Sequence, residues 1–101
     1  MSLIGAILTP TGEDQSATLA TVTATAELVL GGNGRVFSIN ATGDINIRVG
    51  NAGMGAPTAA NYRIPANSVA TFDLNVGADR IRIFNPTGGT ITYYIQFLAR
   101  T

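Results

Sequence analysis

The feature of this sequence that most constrains its fold is the alternation of apolar and polar residues along several short segments. In residues 44–49, every second side chain is apolar. The segments 35–41, 68–76, 80–84 and 90–99 follow a similar pattern. Because successive side chains of a β-strand point to opposite faces, the pattern is typical of strands with one buried face. We therefore expect a shared core that contains Ile45, Ile47, Phe72, Leu74, Ile81 and Ile83.

Turn-forming residues separate these segments at close spacing. Residues 31–34 (GGNG) suit a tight hairpin, because Asn and Gly tolerate positive φ angles. Further turn signals lie at residues 42–43, 77–79 and 85–89. No segment is predicted to be a helix. The sequence therefore predicts an all-β domain, an antiparallel, jelly-roll-like β-sandwich of about seven or eight short strands.

Residues 17–30 are rich in Thr, Val and Ala and are predicted to form one strand, or two if the run is broken. Their Ala and Leu content leaves a helix possible, but the Thr residues favour a strand. The apolar residues of this run fall on one parity, so we expect that side to face the core. These residues are Ala20, Val22, Ala24, Ala26, Leu28 and Leu30.

The first part of the chain differs in composition from the rest. An apolar start is followed by a polar, turn-like stretch at residues 9–16. We interpret residues 1–16 as an N-terminal arm, or a first strand with a loop, and residues 17–101 as the β-sandwich domain. The start lacks the basic residues of a signal peptide, and no stretch approaches the roughly 20 apolar residues of a transmembrane helix. The apolar residues that stand apart from the other strands, and are candidates for subunit contacts, are Leu3, Ile4, Ile7 and Leu8.

Residues 50–61 are predicted to form a long loop of mainly small residues. Such a loop cannot build a core of its own, and loops of this length are often functional. Met54, in its middle, is expected to be the most exposed apolar residue. Its flexible side chain suits either adaptable contacts with a partner or a cap on the core.

Arg80, Arg82 and Phe84 share one predicted strand face, and Tyr94 is expected nearby. A surface of aromatic and arginine side chains can bind protein, sugar or single-stranded nucleic acid. The alternative is an ordinary solvent-facing strand.

The composition argues against catalysis and against bound metal. The chain has no His, Cys or Lys, so a nucleophile has no histidine base and transition metals lack their usual ligands. The carboxylates that could form a glycosidase pair are Asp44, Asp73 and Asp79, and we expect them on solvent faces or in a turn. The sequence therefore predicts no enzyme activity, no cofactor and no metal site.

Six Arg balance six acidic residues, so the formal net charge is zero. This balance argues against nucleic acid as a partner and against electrostatic recruitment to a membrane. It does not discourage self-association, because colloidal repulsion is weak. Arg without Lys suits protein interfaces, although a compositional bias of the genome explains it equally well.

Between about Arg35 and Ile83 the sequence resembles a class of small bacteriophage virion structural proteins. The resemblance rests on residues 37–41 (FSINA), 44–50 (DINIRVG) and 64–68 (IPANS), on Phe72 and Leu74, and on residues 79–83 (DRIRI). It covers about half of the chain and is a pattern of strands and turns, with no catalytic signature.

The resemblance implies a β-sandwich subunit of a virion, either a capsid decoration (cement) protein or a head–tail component. Its expected partners are the major capsid protein or other virion subunits, together with copies of itself in a dimer or trimer. The expected location is the virion, assembled in the host cytoplasm. The alternative function is a carbohydrate- or receptor-binding module of a phage tail or fibre, although the absence of Trp counts against it. A small hydrolase is a third hypothesis.

Overall fold

In the computed structural model, the described residues are 8–29, 36–73 and 78–100, and they form nine β-strands and no helix. The strands are β1 (Leu8–Leu19), β2 (Thr23–Ala24), β3 (Leu28–Val29), β4 (Val36–Ala41), β5 (Ile45–Gly50), β6 (Tyr62–Ile64), β7 (Ala70–Asp73), β8 (Arg80–Asn85) and β9 (Ile91–Arg100). All pairings among these strands are antiparallel. In this part of the chain, no helix exists that could cross a membrane.

The strands form two sheets that pack face to face. The first sheet has the order β1-β9-β4-β7, and the second has the order β2-β8-β5-β6, with β3 also pairing with β8. If β2 and β3 are counted as one interrupted strand, each sheet has four strands, and the chain crosses repeatedly between the sheets. This is the arrangement of a jelly roll. The predicted antiparallel, jelly-roll-like β-sandwich is confirmed.

The core lies between the two sheets. Its members are Leu19, Phe37, Ile39, Ala41, Ile45, Ile47, Ile64, Ile81, Ile83, Ile91, Tyr93, Ile95 and Phe97. The four isoleucines that were expected in the core are therefore confirmed. Phe72 packs against this core but is only partly buried, because β7 is an edge strand. Leu74 lies outside the described residues.

Residues 17–29 do not form one strand with a single inward face. β1 leaves the first sheet at Leu19, which is buried, and the chain turns through Val22 before β2 joins the second sheet. Val22 has a positive φ of 51° and a side chain that is 68% exposed, so the prediction that it faces the core is wrong. The turn shifts the parity, and Thr25 becomes buried instead.

The polar stretch at residues 9–16 is not a loop but part of β1. It pairs with β9 on both sides of a bulge between Pro10 and Asp14. Leu8 begins this strand opposite Arg100. Leu3, Ile4 and Ile7 lie outside the described residues. The predicted boundary near residue 16 therefore falls within a strand.

The turn at residues 42–43 leads from β4 into β5 with little space to spare. A Cβ atom at Gly43 would lie 2.5 Å from Cγ2 of Ile91, which is a core residue of the neighbouring β9. Glycine is required here because the backbone approaches a core side chain closely.

Candidate functional site

The outer face of the second sheet carries three arginines in two neighbouring strands. In the register of β5 and β8, Arg48 is directly opposite Arg82, and Gly50 is opposite Arg80. Because Ile81 and Ile83 face the core, Arg80, Arg82 and Phe84 project to the other side, as predicted. Arg48 is exposed, whereas the three residues of β8 are only partly exposed.

Arg80 is neutralised by neighbouring carboxylates. Its Nη1 donates a hydrogen bond to Oδ2 of Asp79 at 2.7 Å, and its Nε lies 3.9 Å from Oε1 of Glu27. The arginine and Glu27 are both partly buried. Arg80 therefore has an ion-pairing role within the domain.

Arg82 is held by backbone carbonyl groups. Its Nε donates to the carbonyl oxygen of Thr25 at 2.9 Å, and its Nη1 donates to the carbonyl oxygen of Met54 at 3.3 Å. No carboxylate among the described residues pairs with it. The side chain is thus fixed in place while its charge is not neutralised.

The loop at residues 50–61 is anchored across this outer face. Nδ2 of Asn46 donates to the carbonyl oxygens of Asn61 at 2.8 Å and Ala59 at 3.4 Å. At the other end of the loop, the amide of Gly53 donates to Oε2 of Glu27 at 2.6 Å. Asn46 is completely buried beneath the loop, and its Oδ1 has no hydrogen-bond partner. The loop is therefore a strap over the second sheet, although most of its residues are exposed.

Met54 is not the most exposed apolar residue. It is partly buried, and its side chain lies beside Gly50 at the end of β5. Among the large apolar residues that the structure describes, Val22 and Val69 are the most exposed, each at 68%. The backbone of Met54 is held close to the sheet, since its carbonyl group accepts from Arg82 and its amide donates to the carbonyl of Asn51 at 3.1 Å.

Tyr94 does not join the arginine surface. It belongs to β9 of the first sheet, and its side chain lies on the outer face because Tyr93 faces the core. The connection from β8 to β9 crosses from one sheet to the other, so residues that are close in sequence come to lie on opposite outer faces.

The three candidate carboxylates do not converge. Oδ1 of Asp44 accepts from the amide of Ala66 at 2.8 Å, and Oδ2 lies 3.5 Å from Nη1 of Arg63. Asp79 pairs with Arg80, and Asp73 lies on β7 of the other sheet. Among the described residues, no cluster of three or more His, Cys, Asp or Glu side chains could hold a metal ion.

A second candidate surface is the outer edge of β1, which sequence reasoning missed. β1 is an edge strand of the first sheet, and no described strand pairs with its outer side. Asp14, Ser16, Ala17 and Thr18 are exposed along it. The sequence signal was hidden because the polar residues 9–16 resemble a loop.

No protein-family model matches the chain, and no curated protein matches it either. Two solved structures are similar to it. A de novo designed double-stranded β-helix, solved by NMR in solution, aligns with a TM-score of 0.62 and 17% identity, over 84% of this chain and 97% of the designed one. Disulfide-linked pili from Bacillus endospore appendages align with a TM-score of 0.47 and 13% identity, over 99% of this chain and 94% of theirs. The first similarity supports the fold alone.

Proposed function

We propose that this chain is a non-enzymatic structural subunit of a virion, a decoration protein that stabilises a capsid by contacts with the major capsid protein and with copies of itself. The proposal joins the resemblance of residues 35–83 to phage virion proteins with the geometry of the sheets. The lack of His, Cys and Lys supports a role without catalysis.

The observation that carries this proposal is the outer edge of β1, which pairs with no strand among the described residues. Edge strands present a row of backbone N–H and C=O groups that readily pair with another chain. Natural proteins protect such edges with charged side chains, Pro and β-bulges, and β1 carries these between Pro10 and Asp14; residues 15–19, beyond the bulge, contain none of them. Its exposed side chains at residues 16–18 are small, so a partner strand can approach closely.

Strand addition at this edge would combine backbone hydrogen bonds with burial of apolar side chains. The apolar residues Leu3, Ile4 and Ile7 directly precede β1 and are candidates to extend that contact. The exposed residues of the strap at 50–61 offer a second contact surface on the opposite sheet. Contacts at two separate surfaces are what a subunit needs to connect several neighbours in a lattice.

An edge-blocking variant tests the proposal. Lys at Thr18 places a charge on the β1 edge, whereas Lys at the exposed Tyr94 adds the same charge to β9 in the interior of the same sheet. We expect Thr18→Lys to abolish self-association and binding to purified capsids, and Tyr94→Lys to preserve both. Deletion of residues 1–7 should weaken the same contacts. Equal binding by the two Lys variants would exclude the β1 edge as the contact.

Mass spectrometry of purified particles tests the location of the protein. A decoration protein is expected at a fixed ratio to the major capsid protein in every preparation. A protein absent from washed particles would contradict the virion assignment.

One observation favours the carbohydrate-binding alternative. Tyr62 is 62% exposed, and its ring packs edge-on against Phe72 with centroids 5.8 Å apart. A fixed, exposed aromatic ring can stack on a sugar. A glycan array that detects binding by the parent protein, and none by Tyr62→Ala, would favour this function over the structural one.

A further inference from the structure

Arg48 and Arg82 are like charges placed directly opposite each other across β5 and β8. Side chains in such pairs have Cβ atoms about 5 Å apart, and like charges at this position are destabilising. Neither residue has a carboxylate partner among the described residues. By contrast, the exposed Arg63 of β6 and the partly buried Arg80 of β8 both pair with carboxylates.

The two guanidinium groups converge on a single peptide unit of the strap. Nη1 of Arg82 donates to the carbonyl oxygen of Met54, and Nη1 of Arg48 lies 3.1 Å from the place where a Cβ of Gly55 would be. Met54 and Gly55 are consecutive, so both guanidinium groups lie against the same part of the strap. The absence of a side chain at Gly55 leaves room for the Arg48 guanidinium.

This arrangement leaves hydrogen-bond donors available beside a fixed charge. Arg82 uses Nε and Nη1 to bind backbone carbonyls, so its Nη2 remains available, and Arg48 donates to no described residue. The planar guanidinium group of Arg48 can bind a carboxylate with two parallel hydrogen bonds, and Nη2 of Arg82 can add another. Because Arg82 is already immobilised, little conformational entropy is lost when an anion binds to it.

The same chain offers a matching carboxylate. Asp14 is exposed on β1, next to the bulge, and no cation among the described residues pairs with it. It belongs to the first sheet, whereas the two arginines lie on the outer face of the second. We propose that Arg48 and Arg82 form a carboxylate-binding site, and that Asp14 of a second copy of the chain occupies it.

Such a contact joins two different surfaces of the same molecule. Where it is not reciprocated within one pair of molecules it is heterologous, and its repetition then generates rings or extended arrays instead of closed two-fold dimers. The identity of the occupant rests on the proposed function as an assembling subunit. The ability of the two arginines to bind a carboxylate does not rest on that function, because a single copy of the chain should bind a small carboxylate.

The first arm of the test uses acetate as the probe. The Nε–Hε resonances of Arg48 and Arg82 should shift saturably when the protein is titrated with sodium acetate, with sodium chloride at equal ionic strength as the control. Arg63, which is paired with Asp44, should shift little. Gly55→Ala should reduce the shift of Arg48 without a change in charge, since the added Cβ displaces that side chain. The absence of a saturable shift would overturn the site.

The second arm identifies the source of the carboxylate by sedimentation at low salt. Arg48→Gln and Asp14→Asn should each weaken self-association about tenfold, because each removes a charged hydrogen bond. Arg63→Gln changes the net charge equally and should have little effect. Asp14→Arg combined with Arg48→Glu should recover part of the association that either reversal alone loses.

The outcomes separate this inference from the proposed function. Self-association that requires the β1 edge but is unaffected by Arg48→Gln and Asp14→Asn would overturn the second copy as the occupant, while the assembly function stands. Acetate binding by a protein that never self-associates would contradict both the occupant and the assembly function, and would leave a site for a free carboxylate.

Discussion

Asn85 and Asn46 are both completely buried in the second sheet, but they stabilise different kinds of structure. Asn85 ends β8 on the core side, and both of its polar atoms are hydrogen-bonded. Its Nδ2 donates to the carbonyl oxygens of Leu19, Ala20 and Gly89, and its Oδ1 accepts from the amide and hydroxyl of Thr87. Asn46 lies on the outer side and binds only the strap, through Nδ2.

The difference shows that a buried asparagine can stabilise either the contact between the two sheets or the position of a single loop. Asn85 connects the corner between β1 and β2 with the turn between β8 and β9, so it joins both sheets at one end. Asn46 fastens a loop that could detach while both sheets remain intact. A buried polar group whose hydrogen bonds are all formed supports a unique fold, whereas an unpaired buried oxygen costs free energy.

The largest effect is expected from Asn85→Ala. It removes the donor to the carbonyls of Leu19 and Ala20, the first of them in a buried environment, and leaves the carbonyl of Gly89 with the Thr87 hydroxyl alone. We expect a loss of roughly 3–5 kcal/mol in the free energy of unfolding. Urea denaturation measures this loss. Asn51→Ala, at an exposed position of the strap, is the control and should change stability by less than about 0.5 kcal/mol. Equal stability of the two variants would show that Asn85 does not stabilise the contact between the two sheets.

Ile47→Ala separates core packing from attachment of the strap, because Ile47 follows Asn46 but faces the opposite side of β5. We expect a loss of about 3 kcal/mol, as for other large-to-small changes in a core. Hydrogen exchange of the strap amides, measured relative to global unfolding, should be unaffected. Selective opening of the strap in this variant would mean that the two faces of β5 are coupled.

Asn46→Ala should be milder, at about 1 kcal/mol, because the lost hydrogen bonds are offset by removal of the unpaired oxygen. Its main effect is expected on local opening. The amides of residues 53–61 should exchange faster, while those of β4, β8 and β9 remain protected. A loss of stability as large as that of Asn85→Ala would remove the distinction between the two asparagines.

The smallest change in stability at neutral pH is expected from Tyr93→Phe. Burial raises the pKa of the Tyr93 hydroxyl above the ordinary value of 10.0. The unfolded chain therefore loses this proton first as the pH rises. The resulting stability is fully present below the unfolded pKa and is lost as the pH rises through the folded pKa. Tyr93→Phe should match the parent within a few tenths of a kcal/mol at pH 7 and show a weaker decline above about pH 10 in denaturation experiments. Identical alkaline profiles would contradict the assignment.

The fold could be predicted from sequence where its signals are local. Alternation at residues 44–49 and 80–84 identifies β5 and β8 and their inward faces, because the period of a strand is a property of its own backbone. The failures have non-local causes. Residues 9–16 become a strand because β9, far away in sequence, supplies the pairing, and Val22 is exposed because the chain changes sheets beside it.

The features of the candidate site were likewise predictable only where the sequence signal is local. The outward direction of Arg80 and Arg82 was predictable from parity. Their different environments were not, because Asp79 and Glu27 neutralise one while the returning strap holds the other. The opposition of Arg48 and Arg82 depends on the register between β5 and β8, and no local pattern determines this register.

The position of β9 has a consequence for synthesis of the protein. β9 lies between β1 and β4 in the first sheet, although it is the last of the described strands in sequence order. Until the ribosome releases this strand, β1 has no partner in its own sheet, and β4 can pair only with the short β7. The nascent chain therefore exposes apolar strands with unpaired edges, which are prone to aggregation, and folding must wait for contacts of large sequence separation. We expect folding to be slow compared with helical proteins of this length.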